Sequence, residues 1–269
     1  MTPETGPPVA NERSTLVAVA VPTEHGGWGL TLEPALLGLL VAPSWSGVAL
    51  GAAALVAFVA RTPVKCALVD RRRHRRLPRT VLAEKVAAIE LGVLAGLVAV
   101  AAVTAHGAFW IPIVVALPLV AVELWFDVRS RSRRLLPELA GTTGIGGVAA
   151  AIVLADGGEP AFAAALWCIV AARAVASIPF VRLQLCRYKH QPYRRLTSDA
   201  AQGVAVVVAV GAVALDARLF AGLVAIGVLG LLQVWAVRRP PPVAGLLGAQ
   251  QVVAGLTVVL ITALGALAP

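Results

Sequence analysis

The residues best suited to chemistry near the start of the chain lie at 22–28, with the order Pro-Thr-Glu-His-Gly-Gly-Trp. A histidine with an ordinary pKa of about 6.5 acts as an acid, a base or a ligand near neutral pH. His25 follows Glu24, and the two glycines after it allow the backbone to approach a bound group closely. A second interpretation gives the segment no chemistry, with Trp28 as an interfacial anchor and the glycines as a helix start. The sequence leaves both interpretations open.

Four charged side chains lie within long apolar stretches, namely Glu33, Glu90, Glu123 and Arg173. A charged group near the bilayer centre costs about 2.5 to 3.5 kcal/mol on insertion scales, so such groups usually pair or face an interior cavity. We expect Arg173 either to pair with Glu33 or Glu90 or to extend its guanidinium to the membrane surface. Glu33 immediately precedes Pro34, whose missing N–H loosens the helix at that point.

Glu123 and Asp127 are four residues apart, which places them on one face of a helix. Two carboxylates at this spacing are able to hold a cation. They are also able to neutralise Arg129 and Arg131, which follow directly, and this structural interpretation is the one we favour.

Two basic segments, at 63–79 and 179–195, share the pattern P-x7-R-x-[KR]-H-x4-R at an offset of 116 residues. Arginine-rich composition explains neither the proline match nor the histidine match, so the pattern predicts an internal repeat. We expect parallel repeats, with both basic loops on one face over a shared cavity. The matched pairs are Pro63 and Pro179, Arg71 and Arg187, Arg73 and Lys189, His74 and His190, and Arg79 and Arg195.

The second basic segment combines cationic donors with tyrosine hydroxyls. Such a group suits phosphate or carboxylate recognition, because arginine binds these groups bidentately. The alternative is a solvated loop attracted to anionic lipid headgroups. The side chains concerned are Arg182, Arg187, Tyr188, Lys189, His190, Gln191, Tyr193, Arg194 and Arg195.

The elements that must position these groups are membrane helices. Of the 269 residues, 59% are hydrophobic and 14% charged, which excludes a soluble globular protein. A bilayer core of about 30 Å requires about 20 apolar residues per helix. We predict an all-α bundle with a disordered tail at 1–20 and one transmembrane domain at 21–269. Its nine predicted spans are 27–43, 46–62, 84–105, 108–126, 139–155, 159–180, 198–215, 219–237 and 243–266. The fifth is rich in glycine, which predicts close packing against neighbouring helices.

The positive charge alternates between the connections. Of the 23 Lys and Arg residues, 20 lie between spans 2 and 3 (counted from residue 61 to 85), 4 and 5, 6 and 7, or 8 and 9. The positive-inside rule then predicts a bacterial inner-membrane protein with a cytoplasmic N-terminus and an external C-terminus. Because this rule accounts for the net charge of +9, we expect no nucleic-acid partner. Three scattered cysteines predict neither a disulfide framework nor a zinc site.

The segment VPTEHGGWGLTLEPALLG at 21–38 resembles the start of the YwiC-like family of bacterial membrane proteins. More distantly, the architecture resembles the UbiA superfamily of intramembrane prenyltransferases. VDRRRHRRLPRT at 69–80 is similar to the tail of their first motif, and RSRSRRLLPELAGTTGIGG at 129–147 to their stretch after the fourth helix. The resemblance implies a nine-helix, UbiA-like bundle with a cavity open to the cytoplasm.

The UbiA resemblance would imply two aspartate-rich clusters that hold Mg²⁺ ions. This chain has only Asp70 in its second connection, and in the sixth none before Asp199. One carboxylate in each loop does not make a two-metal site. We therefore predict no cofactor and do not expect this chain to bind Mg²⁺.

These observations favour a protein that binds, and in one version converts, an anionic amphiphile such as an isoprenoid or lipid phosphate. An enzyme of this kind would be a divergent UbiA-like transferase. His25, Glu33 and Asp70 are the candidate catalytic groups. The alternatives are a carrier of small anions or protons, with Glu33, Glu123 and Arg173 as a charge relay, and a noncatalytic accessory subunit. The candidate ligand-binding residues are Glu24, Trp28, Arg61, Lys65, Arg71, Arg73, His74, Arg173, Arg182, Arg187, Lys189, His190 and Tyr193.

Overall fold

The computed structural model describes Ala20, residues 25–131 and residues 134–268, without the side chains of residues 25 and 26. The described residues form nine α-helices and a 3₁₀ turn at Ala217–Leu219, with no strand among them. The predicted all-α membrane fold is confirmed, while the predicted disordered tail lies almost wholly outside the described residues. The helices are α1 (His25–Val41), α2 (Trp45–Arg72), α3 (Pro78–Thr104), α4 (Trp110–Val128), α5 (Leu135–Ala155), α6 (Pro160–Tyr188), α7 (Arg195–Leu215), α8 (Phe220–Ala236) and α9 (Ala244–Leu267).

Eight described helices are long and apolar enough to cross a membrane, with α8 counted together with the preceding 3₁₀ turn. The exception is α1, which has 17 residues and the apolar segment Gly27–Val41. Its shortness agrees with a first span predicted at 27–43.

Two helices extend well beyond their predicted spans. We predicted the second and sixth spans to end at residues 62 and 180, but α2 continues to Arg72 and α6 to Tyr188. At about 1.5 Å per residue, the 29 residues of α6 measure about 43 Å, which exceeds a bilayer core of about 30 Å. Hydropathy marks where a helix leaves the apolar layer, whereas backbone hydrogen bonding decides where the helix ends. Many residues predicted to lie in loops are therefore helical.

The connections that we predicted to be basic meet at one end of the bundle. Arg73, after α2, donates to Ser130 after α4, and Arg187 near the end of α6 donates to the carbonyl of Arg239 after α8. At the other end, the backbone N–H of His106 donates to the carbonyl of Ala155. The basic connections therefore lie at one end of the bundle and the short, weakly charged ones at the other. Which end faces the cytoplasm stays a prediction.

The first helix occupies a central position. It packs against α2, α5, α6 and α9, while α5 also packs against α4 and α6. The largest core cluster joins residues of α1, α5, α6, α7, α8 and α9, and many of them are alanines. Small side chains allow helices to approach closely, which is how membrane bundles gain packing without a hydrophobic driving force.

The glycine-rich helix α5 packs as predicted. A Cβ added at Gly146 or Gly147 would lie 3.1 Å from Val170 or from the ring of Trp167, respectively. The indole N–H of Trp167 donates to the carbonyl of Thr143 at 2.7 Å. Close approach and a hydrogen bond together fix α5 against α6.

The two basic segments adopt the same local structure. Pro63 and Pro179 lie buried inside α2 and α6. Two residues after the end of each helix comes a histidine with left-handed backbone, His74 at φ 53° and His190 at φ 52°. The 116-residue repeat is thus visible in the backbone of both helical hairpins. That the two loops share one cavity stays a prediction.

Candidate functional site

A buried ion pair lies where α1, α6 and α9 meet. Arg173 Nη2 lies 3.4 Å from Glu33 Oε1, and both residues are at most 4% exposed. The same guanidinium donates to the backbone carbonyl of Gln251 at 2.7 Å. Of the two alternatives that the sequence left open for Arg173, the structure has the internal ion pair, with Glu33 rather than Glu90 as the partner.

A second charged cluster joins α2 to α4. Asp127 is fully buried and accepts hydrogen bonds from Arg61 Nε at 2.8 Å and Nη2 at 3.2 Å. Lys65 Nζ lies 3.4 Å from Asp127, and Glu123 lies 2.8 Å from Arg61. As we predicted, Glu123 and Asp127 neutralise basic side chains. The cations shown here are Arg61 and Lys65 of α2, however, and not Arg129 and Arg131. Glu123 also belongs to a different cluster from Glu33 and Arg173, which disfavours a single charge relay.

A third charged cluster joins Asp70, buried near the end of α2, to the start of α3. Asp70 is 1% exposed, it accepts two hydrogen bonds from Arg79 at 3.0 and 3.2 Å, and it accepts one from Thr80 at 2.8 Å. Both carboxylate oxygens are engaged. Asp70 therefore positions Arg79 in addition to being a candidate for chemistry.

The larger of two clefts opens beside Asp70 at the basic end, between α2, the start of α3 and the loop before α5. This front cleft has a volume of about 540 Å³ and contains four cationic side chains and one carboxylate. It is lined by Thr62, Lys65, Cys66, Val69, Asp70, Arg79, Ser130, Arg131 and Arg134.

A smaller rear cleft of about 350 Å³ lies next to it. Thr80 lines the rear cleft and Arg79 the front cleft, so the start of α3 separates the two. Arg71 pairs with Glu84 at 2.8 Å within the rear cleft. Its lining residues are Arg71, His74, Arg75, Arg76, Thr80 and Glu84.

The clefts divide the ligand-binding residues predicted in the first basic segment. Lys65 lines the front cleft, Arg71 and His74 line the rear cleft, and Arg73 lines neither but bonds Ser130 at 3.2 Å. Arg61 lies with Asp127 instead.

The residues predicted in the second basic segment lie apart from both clefts. Arg182 pairs with Glu138 at 2.9 Å, while Lys189 and His190 are exposed. Arg187 donates to Gln184 at 2.8 Å and lies 5.9 Å from the ring centre of Tyr193. Hydrogen bonds from Arg195 and then Arg187 lower the pKa of the Tyr193 hydroxyl from its ordinary value. These cations therefore gather on the surface rather than in a described cleft.

The motif before α1 is only partly described. Glu24 and the side chain of His25 lie outside the described residues. Trp28 packs edge-to-face on Phe58 of α2, with ring centres 5.1 Å apart. Trp28 is thus part of the helix packing, and a role for Glu24 and His25 stays a prediction.

Several lining residues of the front cleft were absent from the predicted site. Arg134 was counted only as a topology signal, Arg131 also as a cation that Glu123 and Asp127 neutralise, and Arg79 as a topology signal and a member of the repeat. No sequence signal separates a basic residue that lines a cleft from one that faces solvent. The adjacent stretch with Pro137 and Gly141 resembles a UbiA segment, and this was the one available indication.

The aspartate of the front cleft does not fit a Mg²⁺ site. Its oxygens are bonded to Arg79 and Thr80, and the other charged residues lining the cleft are cations. Among the described residues, no three His, Cys, Asp or Glu side chains gather in a way that would hold a metal ion.

Comparison with known proteins identifies one family. Residues 21–153 match the family described as YwiC-like protein. No curated protein and no solved structure matches the chain significantly, so the likeness to the UbiA superfamily stays a prediction. The matched region contains both clefts in full. From the motif before α1 to the last turn of α5, the chain is therefore similar to the YwiC-like family, as its first residues predicted.

Proposed function

We propose that the protein binds an anionic amphiphile, with a phosphate headgroup in the front cleft and the apolar tail between membrane helices. The observation that supports this most directly is the front cleft itself. It places Lys65, Arg79, Arg131 and Arg134 around one opening at the basic end of the bundle. Converging arginines suit phosphate, because each guanidinium donates two parallel charge-assisted hydrogen bonds.

The charge balance of the cleft favours an external anion. Asp70 is already bonded to Arg79 and Thr80, and Lys65 lies 3.4 Å from Asp127. Arg131 and Arg134 are exposed, and neither forms an ion pair with a carboxylate in the described part of the chain. These two arginines therefore supply the positive charge that a phosphate would neutralise.

The floor of the cleft continues into the membrane along one face of α2. Leu55 and Val59 lie at helical spacing below Thr62 and Cys66, and all four are only partly buried. The flanking helices α3 and α4 each pack on α2, but they do not pack extensively on each other. An apolar chain laid along α2 would remain in contact with the headgroup site while facing the lipid between these helices. This combination favours an amphiphile over a small soluble anion.

The test is direct binding of farnesyl phosphate to the purified protein in nanodiscs of neutral lipid. We expect Arg131→Gln/Arg134→Gln to weaken binding at least about tenfold, since losing one charge-assisted hydrogen bond typically costs 1.5 to 3 kcal/mol. The matched control Arg75→Gln/Arg76→Gln removes the same charge from the rear cleft and should change binding much less. Binding should survive EDTA and weaken as salt increases.

Two results would contradict the proposal. Equal losses in the two double variants would indicate general attraction to a basic surface. Strict Mg²⁺ dependence, with loss of binding in Asp70→Asn alone, would instead support a prenyltransferase that uses Asp70 as a metal ligand.

A further inference from the structure

An arginine stacks on a tryptophan at the basic end of both halves of the bundle. Arg129, which follows α4, lies over the ring of Trp125, with its guanidinium carbon 3.2 Å from the ring centre. Arg239, which follows α8, lies over the ring of Trp235 at 4.6 Å. Each arginine comes four residues after its tryptophan, so the pattern Trp-x3-Arg recurs at the ends of the fourth and eighth helices.

A hydrogen bond brings a second arginine to each stacked pair. Arg72, the last residue of α2, donates to the carbonyl of Val128 at 3.1 Å, directly before Arg129. Arg187, near the end of α6, donates to the carbonyl of Arg239 itself at 2.8 Å. The same arrangement, with one arginine held by an aromatic ring and one by a backbone carbonyl, is therefore built twice.

The charge of these four arginines is not neutralised within the described residues. None of the four forms an ion pair with a carboxylate there. Their sequence neighbours differ in this respect, since Arg71 pairs with Glu84 and Arg238 pairs with Asp199. The two clusters therefore suit an anion that comes from outside the chain.

The tryptophans indicate where that anion lies relative to the membrane. Trp125 and Trp235 are 59% and 57% exposed, in the last turns of helices that are long and apolar enough to cross a membrane. Exposed tryptophans at helix ends lie at the level of the lipid headgroups. An arginine stacked on such a ring keeps the N–H groups at the edge of its guanidinium, where they donate to phosphate oxygens.

We propose that these clusters are two binding sites for the phosphate headgroups of anionic phospholipids, one in each half of the bundle. The occupant is a membrane lipid rather than a free anion, because each cluster contains an exposed indole ring at headgroup level. None of the residues of the two sites lines the front cleft, so the proposal does not depend on the function proposed above. The α4 site consists of Arg72, Trp125 and Arg129, and the α8 site of Arg187, Trp235 and Arg239.

The test is titration of the purified protein with short-chain phosphatidylglycerol, counted by native mass spectrometry, with phosphatidylcholine of equal chain length as the reference lipid. All measurements use the Arg131→Gln/Arg134→Gln background, so that the front cleft does not contribute. We expect two molecules of phosphatidylglycerol to bind in preference to phosphatidylcholine. Arg129→Gln/Arg239→Gln should weaken this binding at least about tenfold, because each site loses a charge-assisted donor. The matched control Arg75→Gln/Arg76→Gln removes the same charge from the rear cleft and should change it much less.

A second variant tests the sites without changing the charge. Trp125→Leu/Trp235→Leu keeps every arginine but removes the rings that hold two of them, so binding of phosphatidylglycerol should weaken about two- to fivefold. This variant also decides the question if the arginine variant does not fold. The single variants Arg129→Gln and Arg239→Gln should each lose one of the two bound lipids.

Three results would overturn the proposal. Equal losses in the stacked-arginine variant and in the rear-cleft control would indicate general attraction to positive charge. Equal binding of phosphatidylglycerol and phosphatidylcholine by the background protein would show that the headgroup charge is not recognised. Displacement of the bound lipid by inorganic phosphate would indicate a site for free anions instead.

Discussion

The Glu33 carboxylate of the buried ion pair lies against a glycine of α9. A Cβ added at Gly255 of α9 would overlap the Glu33 carboxylate. Gly255→Ala therefore has to displace Glu33, because the residue lies on a packed and buried face of α9. The matched control is Gly248→Ala on the same helix, where no atom lies within 4 Å of the added carbon.

The size of the effect follows from what Arg173 would lose. Removing one partner of a buried ion pair typically costs about 3 to 5 kcal/mol, since the other charge is left uncompensated. Arg173 would retain its 2.7 Å hydrogen bond to the Gln251 carbonyl, so we expect a smaller loss, about 2 to 4 kcal/mol in the free energy of unfolding. Gly248→Ala should be neutral or stabilising by up to about 1 kcal/mol, because alanine favours helix.

The assay is unfolding of the detergent-solubilised protein by sodium dodecyl sulfate, followed by far-ultraviolet circular dichroism. A double-mutant cycle with Glu33→Ala tests the cause. If overlap with Glu33 is the reason, adding Gly255→Ala to Glu33→Ala should cost much less than adding it to the unaltered chain. The reasoning is refuted if Gly255→Ala and Gly248→Ala have the same stability, or if the cycle is additive.

Two other predictions concern topology and pH. Cys66 and Cys186 should react with an impermeant thiol reagent only from the cytoplasmic side, whereas cysteines in Ser44→Cys and Asp156→Cys should react from outside. Reaction of Ser44→Cys only after lysis would reverse the orientation. A hydrogen bond from Arg218 lowers the pKa of Asp216, so this carboxylate stabilises the fold above its unfolded pKa of about 3.9. That contribution disappears as pH falls through the lower folded value. Asp216→Asn should therefore reduce the loss of stability measured between pH 5 and 2, and an unchanged pH profile would argue against the contact.

Much of the fold was predictable because lipid imposes strong constraints. The apolar stretches locate the spans, and the cost of a buried charge indicated that Arg173 required a partner. The sequence did not show whether that partner is Glu33 or Glu90, because the answer depends on how α1 and α6 are rotated about their axes.

The candidate site was less predictable, for a related reason. Arg61 and Asp127 are 66 residues apart, and their contact depends on α4 packing against α2. The front cleft likewise exists because three separate segments meet at one end of the bundle. Local sequence identified the basic residues but contained no information on which of them share a cleft. The helical extension of α2 was also missed, since its last turns are polar and resemble a loop.

The position of α1 has a consequence for how the protein is made. Glu33 is synthesised 140 residues before Arg173, and α9, which supplies Gln251 and Gly255, is synthesised later than both. When α1 enters the membrane, the Glu33 carboxylate has neither Arg173 to pair with nor the space beside Gly255 that it occupies in the folded protein. The short first helix therefore reaches its final contacts only after translation has passed α9. Assembly thus closes around a helix that is made well before its partners, and α9 completes its enclosure.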